Sequence, residues 1–233
     1  MSTFCFRLCG PMQSWGTQSR FLVRETGLEP SKSGVVGLIC AAMGNSRDDR
    51  EAIAKVAALK MAVRADRPGI MRMDYHTVGG TRSDADGYGV IRADESGVGP
   101  VVSRRYYLAD AEFLVGIEGV RAALEGIAAA LDAPRWQIFL GRKSFVPSAP
   151  LILPADAPWN GGWSEDALEQ AVSSYPWLGR LSGARAREDK LRVIIEDSAG
   201  SEIRRDYPLS FAPRAFTVRR VRTLSVAPSG VGA

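Results

Sequence analysis

The order of apolar patterns along the chain predicts an α+β fold with a β-α-β-β-α-β core. Residues 3–9, 60–66 and 111–117 alternate apolar and polar side chains, a period typical of strands with one buried face. Residues 31–44 and 119–131 place apolar side chains at helical spacing. Because these segments alternate in this order and a further strand pattern follows, the sequence predicts a ferredoxin-like arrangement.

The first predicted strand ends in a turn that presents polar and aromatic side chains. Gly10 and Pro11 end the strand, because glycine adopts positive φ angles and proline lacks an N–H group for the strand ladder. Gln13 and Trp15 follow in a turn bounded by glycine. Turns held by a rigid strand often bind ligands, so Trp15 is either a platform for base stacking or a buried anchor of its loop.

Capping signals set the limits of the first helices. Ser31 and Ser33 are both good N-caps for the first helix, and Gly44 is its expected C-cap. Residues 46–49 begin a second, short helix, because their acidic side chains complement the positive end of a helix dipole. The second strand, residues 60–66, follows.

A glycine-rich insertion is predicted between the second and third strands, over residues 67–104. It has few aliphatic side chains, so it cannot build a core of its own. A long, structure-poor insertion in a compact domain is usually functional or disordered. Gly79 and Gly80 lie in this insertion, and Val90 and Ile91 are the apolar candidates for its tip.

The second half of the core repeats the strand and helix pattern. The helix over residues 119–131 is stopped by Pro134, and a fourth strand is predicted over residues 136–140. We therefore assign residues 1–140 to the ferredoxin-like domain and residues 141–226 to a β-rich extension packed on it. Strands are predicted in this extension near residues 191–196, 203–211 and 215–224. The tail, residues 227–233, is predicted to be disordered.

Composition restricts the class of protein. The 233 residues suit one elaborated domain or two small ones. No run approaches the about 20 apolar residues of a membrane helix, and Arg7 and Pro11 are incompatible with a signal peptide, so we expect a cytoplasmic protein without a membrane partner. Three cysteines without CxxC spacing and one histidine favour buried thiols, and we expect neither metal nor cofactor.

Basic residues are concentrated near the C-terminus. The net charge is +4, from 30 Lys and Arg against 26 Asp and Glu. Residues 179–222 contain eleven basic and six acidic side chains, so this segment alone exceeds the surplus of the whole chain. Clustered arginine is typical of phosphate contact, although ion pairs on a solvated face are the alternative.

Two further groups of residues are candidates for anion binding. Gly141, Arg142 and Lys143 follow the fourth predicted strand, where a flexible backbone and two cations would suit a phosphate, or form a solvated turn. Lys32 lies beside the serines of a helix N-terminus, whose free N–H groups favour an anion, although plain capping is the alternative.

The aromatic pair Tyr106 and Tyr107 lies beside Arg104 and Arg105. The tyrosines are candidate stacking platforms, and at most one can face a given ligand because strand side chains alternate. The arginines fit contacts to a nucleic-acid backbone.

Metal-free RNA cleavage is the enzymatic alternative. His76 suits a general acid or base near neutral pH, and Tyr75, Lys32 or Lys143 could assist it. A lone histidine beside a glycine-rich insertion is more often a structural or binding residue. No Ser-His-Asp set, phosphate-binding Gly-Lys-Ser/Thr loop or carboxylate cluster is recognisable.

Five motifs in order resemble the CasD family, the type I-E branch of the fifth family of CRISPR-associated proteins within the RAMP superfamily. They are residues 10–16 (GPMQSWG), 30–38 (PSKSGVVGL), 74–77 (DYHT), 140–144 (LGRKS) and 204–211 (RRDYPLSF). The resemblance spans nearly the whole chain. It implies an RRM-like fold, in agreement with the periodicity.

The resemblance also implies a non-catalytic subunit of Cascade, the CRISPR surveillance ribonucleoprotein complex of antiviral defence. Such a subunit grips the 5′ handle of the CRISPR RNA (crRNA) and contacts the large subunit and the terminal backbone (CasC-type) subunit. The insertion at residues 67–104 would be a β-hairpin thumb near the crRNA–target DNA duplex. Motifs and resemblance together give these candidate crRNA contacts: Gln13, Ser14, Trp15, Gly16, Lys32, Ser33, His76, Arg104, Arg105, Tyr107, Gly141, Arg142 and Lys143.

Two rival functions stay open. The type I-C relative of the family is an endoribonuclease with a Tyr/Lys/His set; here Tyr75, His76 and Lys143 would act, but His76 is followed by Thr77 and no Lys-His pair is adjacent. A small-ligand-binding ferredoxin-like domain is the second rival, and it would need neither the insertion nor the arginine-rich segment.

Overall fold

The computed structural model describes residues 1–16, 22–79, 90–91, 97–181 and 189–229. The strands are β1 (Ser2–Gln13), β2 (Val23–Arg24), β3 (Lys60–Arg67), β4 (Ile70–Val78), β5 (Val90–Ile91), β6 (Val98–Gly99), β7 (Val101–Gly119), β8 (Trp163–Ser164), β9 (Leu191–Glu196), β10 (Glu202–Phe211) and β11 (Arg214–Val226). The helices are α1 (Lys32–Met43), α2 (Arg50–Ala57), α3 (Arg121–Asp132) and α4 (Leu168–Ser174), with 3-10 turns at Asn160–Gly162 and Leu178–Arg180. None of the described helices is long and apolar enough to cross a membrane.

One large, mainly antiparallel sheet forms the centre of this mixed α/β structure. Its strands follow the order β10-β11-β9-β3-β7-β1-β8, and β2 and β4 pair with the outer half of β7. Side chains of β1 alternate between two cores: Phe4 and Phe6 pack with α1 to α3, and Cys5 packs with α4. The sheet is therefore covered on both faces along β1.

The first helix has the caps that the sequence predicts. Ser31 is the N-cap, and its Oγ accepts a hydrogen bond from the Gly34 N–H at 3.3 Å. Gly44 ends α1 in the left-handed conformation, with φ of 78°. Of the two candidate N-caps, Ser31 is therefore the one used. The short helix α2 starts after its N-cap Asp49, whose carboxylate accepts from the Ala52 N–H at 2.9 Å.

The predicted fourth strand, residues 136–140, is wrong. These residues are irregular: the Trp136 N–H donates to the Ala41 carbonyl at the end of α1, and the Leu140 carbonyl accepts from the Ser14 N–H at 3.0 Å. The alternation of apolar side chains reflects burial of Ile138 and Leu140 in the core without a neighbouring strand. The edge of β1 pairs instead with the two-residue strand β8.

The glycine-rich insertion is not structure-poor throughout. Strand β4 pairs with the outer half of β7, from Ile70 opposite Ala109 to Val78 opposite Val101. We call residues 70–78 and 101–109 the β4–β7 arm. The β4 side chains of this arm are largely exposed, so the arm has little hydrophobic core. It is held instead by backbone pairing with β7, a strand that extends from the central core.

The arm leaves the core at two residues with positive φ. Gly69 has φ of 75° and Asp110 has φ of 55°. A Cβ atom at residue 69 would lie 2.6 Å from the Ala109 carbonyl oxygen, so this close approach requires glycine.

The C-terminal strands agree with the three predicted segments, and a buried ion pair fixes them to α1. Asp206 of β10 accepts from Arg219 of β11 at 2.7 and 2.9 Å and from the Lys32 backbone N–H at 2.7 Å. The β10–β11 hairpin is thereby joined to the first residue of α1.

All three cysteines are buried and free, as predicted. Burial raises the pKa of the Cys5 thiol to about 12 and that of Cys40 to about 11. The Cys5 and Cys40 thiols are therefore neutral packing groups of the core.

Candidate nucleic-acid interface

A groove of 1590 Å³ runs along α1, between the 136–142 segment and the β10–β11 hairpin. We call it the α1 groove. In the part of the chain that the structure describes, its charged lining consists of one acidic residue, Glu25, and five arginines: Arg24, Arg47, Arg142, Arg205 and Arg214. A concave surface with this excess of cations concentrates positive potential and favours a polyanion.

Three of these guanidinium groups have no partner among the described residues: those of Arg47, Arg205 and Arg214. Other arginines of the basic C-terminal segment are neutralised. Arg219 pairs with Asp206, and Arg222 pairs with Asp197 and Glu169. Ion pairing therefore explains part of the basic segment, and the unpaired arginines face the groove.

Arg142 is held at one end of the groove by carbonyl groups. Its Nη2 donates to the carbonyl oxygens of Tyr106 at 2.8 Å and Arg24 at 3.3 Å, and its guanidinium lies over the Phe145 ring. Burial lowers the pKa of Arg142, and the nearby positive charge of Arg105 lowers it further. Because a guanidinium stays charged at neutral pH, a bound anion would relieve this unfavourable environment.

Arg24 has no recognisable signal in the sequence. It lies in β2, which pairs in parallel with β7 and places Arg24 opposite Arg105. Asp74 pairs with Arg105 from the other side, on β4. Only this three-strand register brings Arg24 to the groove beside Arg142.

The predicted turn is built on Gln13. This side chain is fully buried; its Nε2 donates to the Ala111 carbonyl at 2.8 Å, and its Oε1 accepts from the Trp15 indole at 3.2 Å. Trp15 is 1% exposed and packs on Gly34, where a Cβ atom would lie 2.7 Å from the indole ring. Trp15 is therefore a loop anchor here and offers no open stacking face. Ser14 and Gly16 lie at the groove surface.

Lys32 is also committed within the protein. It is 1% exposed; its Nζ pairs with Glu196 and donates to the Leu59 carbonyl at 2.8 Å. Burial lowers the pKa of Lys32. The ammonium group therefore supports the α1 N-terminus from inside, whereas Ser33 lines the groove.

Gly141 permits a close approach of two backbones. Its φ is 99°, and a Cβ atom there would lie 1.8 Å from the Ser14 carbonyl oxygen. The glycine of the predicted phosphate turn thus joins this turn to the end of β1. Lys143 is exposed.

The comparisons with known proteins agree on one family. A family model described as CRISPR-associated protein (Cas_Cas5) matches residues 3–222. This chain belongs to the Cas5 family. The "CRISPR system Cascade subunit CasD" of Escherichia coli (strain K12) is 33% identical to it over 230 residues, which cover 94% of this chain and 93% of that protein.

Two solved structures are similar to this Cas5 chain. One, described as "Crystal structure of Cas protein", has a TM-score of 0.74 and 37% identity and covers 98% of both chains. A chain of a "CRISPR RNA-guided surveillance complex" has a TM-score of 0.75 and 34% identity, covering 97% of this chain and 90% of that one. The family resemblance stated from the motifs is confirmed.

The Cas5 arm separates the residues of the predicted catalytic set. His76 Nδ1 lies 3.2 Å from the Asp74 carboxylate. Tyr75, between them on β4, presents its side chain to the opposite face of the ribbon. Tyr75 and His76 therefore do not converge on one point.

The candidate RNA contacts on the outer half of β7 are also placed on different faces of the ribbon. The Arg105 Nε donates to Ser103 Oγ at 2.9 Å on the Asp74 face, whereas Arg104 lies opposite Tyr75. Tyr107 packs on Phe145, with ring centroids 5.9 Å apart. Arg105 is thus on the Asp74 face of the ribbon, Arg104 is on the other face, and Tyr107 is half-buried.

The predicted tip residues are only partly described. Gly79 follows β4 with φ of 76°, and Ile91 is 71% exposed in β5, which pairs with β6. Gly80 and the Val90 side chain lie outside the described residues.

Proposed function

We infer that this Cas5 protein is a subunit of a Cascade complex in crRNA-guided defence, and we propose that its α1 groove holds the 5′ handle of crRNA. The observation that supports the groove most strongly is its set of three arginines without partners among the described residues. Similarity to a Cascade subunit and to a chain of a surveillance complex supports the assembly.

The groove also collects several predicted contacts from separate motifs. Six of them line it: Ser14, Trp15, Gly16, Ser33, Gly141 and Arg142. Polar groups and unpaired cations along one open channel suit a flexible single strand, whose phosphates can follow the arginines. These groove contacts would hold the 5′ handle, while base pairing between the guide part of the crRNA and the target DNA would recognise the target sequence.

We propose that the protein is a scaffold in the cytoplasm and not a nuclease. Tyr75 and His76 point to opposite faces of the arm, so a Tyr/His pair cannot act on one scissile phosphate without rearrangement. The finer fold assignment is also a proposal: β8-β1-β7-β3 would be a ferredoxin-like core whose fourth strand is reduced to two residues.

The arm is proposed as the thumb. Met71, Met73 and Tyr75 are 45%, 46% and 63% exposed on one face, opposite the face of Asp74 and His76. An exposed apolar strip of this kind suits a protein contact, for which the terminal backbone subunit is our proposed partner. The crRNA–target DNA duplex and the large subunit would lie next to the same end of the protein.

Charge reversal tests the groove. We expect the double variant Arg24→Glu/Arg205→Glu to bind handle RNA at least about tenfold more weakly, with a salt dependence reduced by about 0.7 per lost phosphate contact. The matched control is Lys55→Glu, an exposed charge on α2 outside the groove. RNA is titrated onto the full chain and, if the chain alone binds none, onto the crRNA-free subunit complex.

Two outcomes would contradict the proposal. Unchanged affinity and salt dependence in the double variant would remove the groove as the handle site. Specific cleavage of repeat RNA without metal, abolished in His76→Ala, would instead make the protein a processing nuclease.

A further inference from the structure

The end of the α1 groove beyond Arg142 has a different lining. Near the C-terminus of α1, the groove is bordered by Trp136, Phe211 and Phe216, with Arg47 and Arg214 beside them. None of these residues is among the named candidate crRNA contacts, although Arg214 lies in the basic C-terminal segment. Large aromatic side chains next to unpaired guanidinium groups are the combination that binds an unpaired base and its phosphate.

Trp136 is presented by a fixed backbone. The N–H groups of Arg135 and Trp136 donate to the carbonyls of Ala42 and Ala41, at 2.8 and 3.3 Å, in the last turn of α1. The Trp136 side chain is nevertheless 45% exposed. An indole held by its backbone but left open loses little conformational entropy when a planar ligand stacks on it.

The aromatic pair on the β10–β11 hairpin is also fixed. The Phe211 N–H donates to the Arg47 carbonyl at 3.1 Å, and its ring lies 3.5 Å from where a Cβ atom at Gly37 would be. Phe216 meets Phe211 edge to face, with centroids 6.4 Å apart. The tip of the β10–β11 hairpin therefore forms a rigid aromatic wall on the groove.

We propose that this end of the groove is a nucleobase site: one unpaired base stacks on Trp136, against the wall of Phe211 and Phe216, and the adjoining phosphate binds Arg47 and Arg214. The proposal rests on the proposed function, since it takes the strand in the groove to be RNA. Charge favours RNA over a peptide, because among the described residues Glu25 is the only acidic one in the groove lining and these two guanidinium groups are unpaired. The proposed ligand is therefore a single strand, because stacking on a side chain requires an unpaired base.

Abasic RNA tests the site together with two variants of Trp136. We expect Trp136→Ala to weaken handle binding by about 5- to 150-fold, the range of one base stacking on an aromatic ring. Trp136→Phe should retain most of the affinity. A single abasic position in the handle should weaken wild-type binding by a similar factor and make Trp136→Ala and wild type equal.

A charge variant separates the phosphate from the base. Arg47→Glu/Arg214→Glu removes one phosphate contact and should reduce the salt dependence of binding by about 0.7, whereas Trp136→Ala should leave it unchanged. All titrations use the full chain, or the crRNA-free subunit complex if the chain alone binds no RNA.

Two results together would overturn the nucleobase site. Trp136→Ala would bind every RNA with wild-type affinity, and no single abasic position in the handle would weaken binding by the wild-type protein. If that variant also fails to co-purify with the other Cascade subunits, the aromatic end is a protein interface. The Arg24→Glu/Arg205→Glu variant tests the proposed function independently. If this variant loses RNA binding while Trp136→Ala does not, the groove is still the handle site and only the nucleobase site is wrong.

Discussion

The indole N–H of Trp15 donates to the Gln13 side chain at 3.2 Å, two residues along the chain. The same Gln13 amide donates to the carbonyls of Leu8 and Ala111, at 3.2 and 2.8 Å. The turn after β1 is therefore fixed by a buried polar network that reaches β7. Gln13 and Trp15, both in the predicted contact motif, thus hold the turn that lies beside the groove.

This network predicts that Gln13→Ala destabilises the fold. The substitution leaves two backbone carbonyls and the indole N–H without their partner, and each buried unsatisfied group costs about 1–3 kcal/mol. We expect the free energy of unfolding in urea to fall by about 2–4 kcal/mol. The exposed Gln170→Ala on α4 is the control and should change it by less than about 0.5 kcal/mol. Equal stability of both variants would show that the network contributes nothing.

Two glycine-to-alanine substitutions in helices should have opposite effects on stability. At Gly34 a methyl group would overlap the Trp15 ring, so we expect Gly34→Ala to destabilise by about 1–3 kcal/mol. At Gly126 of α3 a Cβ atom meets nothing within 4 Å, so Gly126→Ala should stabilise by up to about 1 kcal/mol. Thermal unfolding measures both. Stabilisation by both substitutions would contradict the packing of Trp15 on Gly34.

Removing the segment beyond the β4–β7 arm should preserve the fold and impair assembly. Val78 and Val101 are paired in the antiparallel register, so replacing residues 79–100 with an Asn-Gly turn closes a two-residue hairpin at that pair. We expect soluble protein with an unchanged unfolding midpoint and reduced co-purification with the other Cascade subunits. Loss of soluble protein would place the removed segment in the core, and full assembly would show that residues 79–100 are not needed for the thumb contact.

Stability should decrease at alkaline pH because of Cys5. Its pKa is raised from 9.0 to about 12 in the folded protein, so folding favours the neutral thiol. This contribution is fully present below pH 9 and is lost as the pH rises from 9 towards 12. Unfolding in urea at pH 8 and pH 10 measures the loss, which Cys5→Ala should reduce. Rapid alkylation of Cys5 by iodoacetamide in the native protein at pH 8 would contradict the burial of this thiol.

Local patterns were sufficient for the elements that bury one face. The alternation in residues 3–9, 60–66 and 111–117 and the helical spacing in α1 and α3 correspond to observed elements. They succeed because burial of one face imposes its period on the sequence. The same rule misassigned residues 136–140, where Ile138 and Leu140 are buried without a neighbouring strand.

The sequence by itself determined the family, the central elements, the buried thiols and the presence of a basic C-terminal segment. Only the tertiary structure decided which charges are available. Arg219 and Arg222 are neutralised by acidic side chains that lie far away in the sequence or on neighbouring strands, whereas Arg205 and Arg214 face the groove. Likewise, Lys32 and Trp15 belong to conspicuous motifs but are each only 1% exposed, whereas Arg24 and Trp136 belong to none but have exposed side chains on the groove. The reason is physical: exposure and pairing depend on contacts between distant segments, which no local pattern specifies.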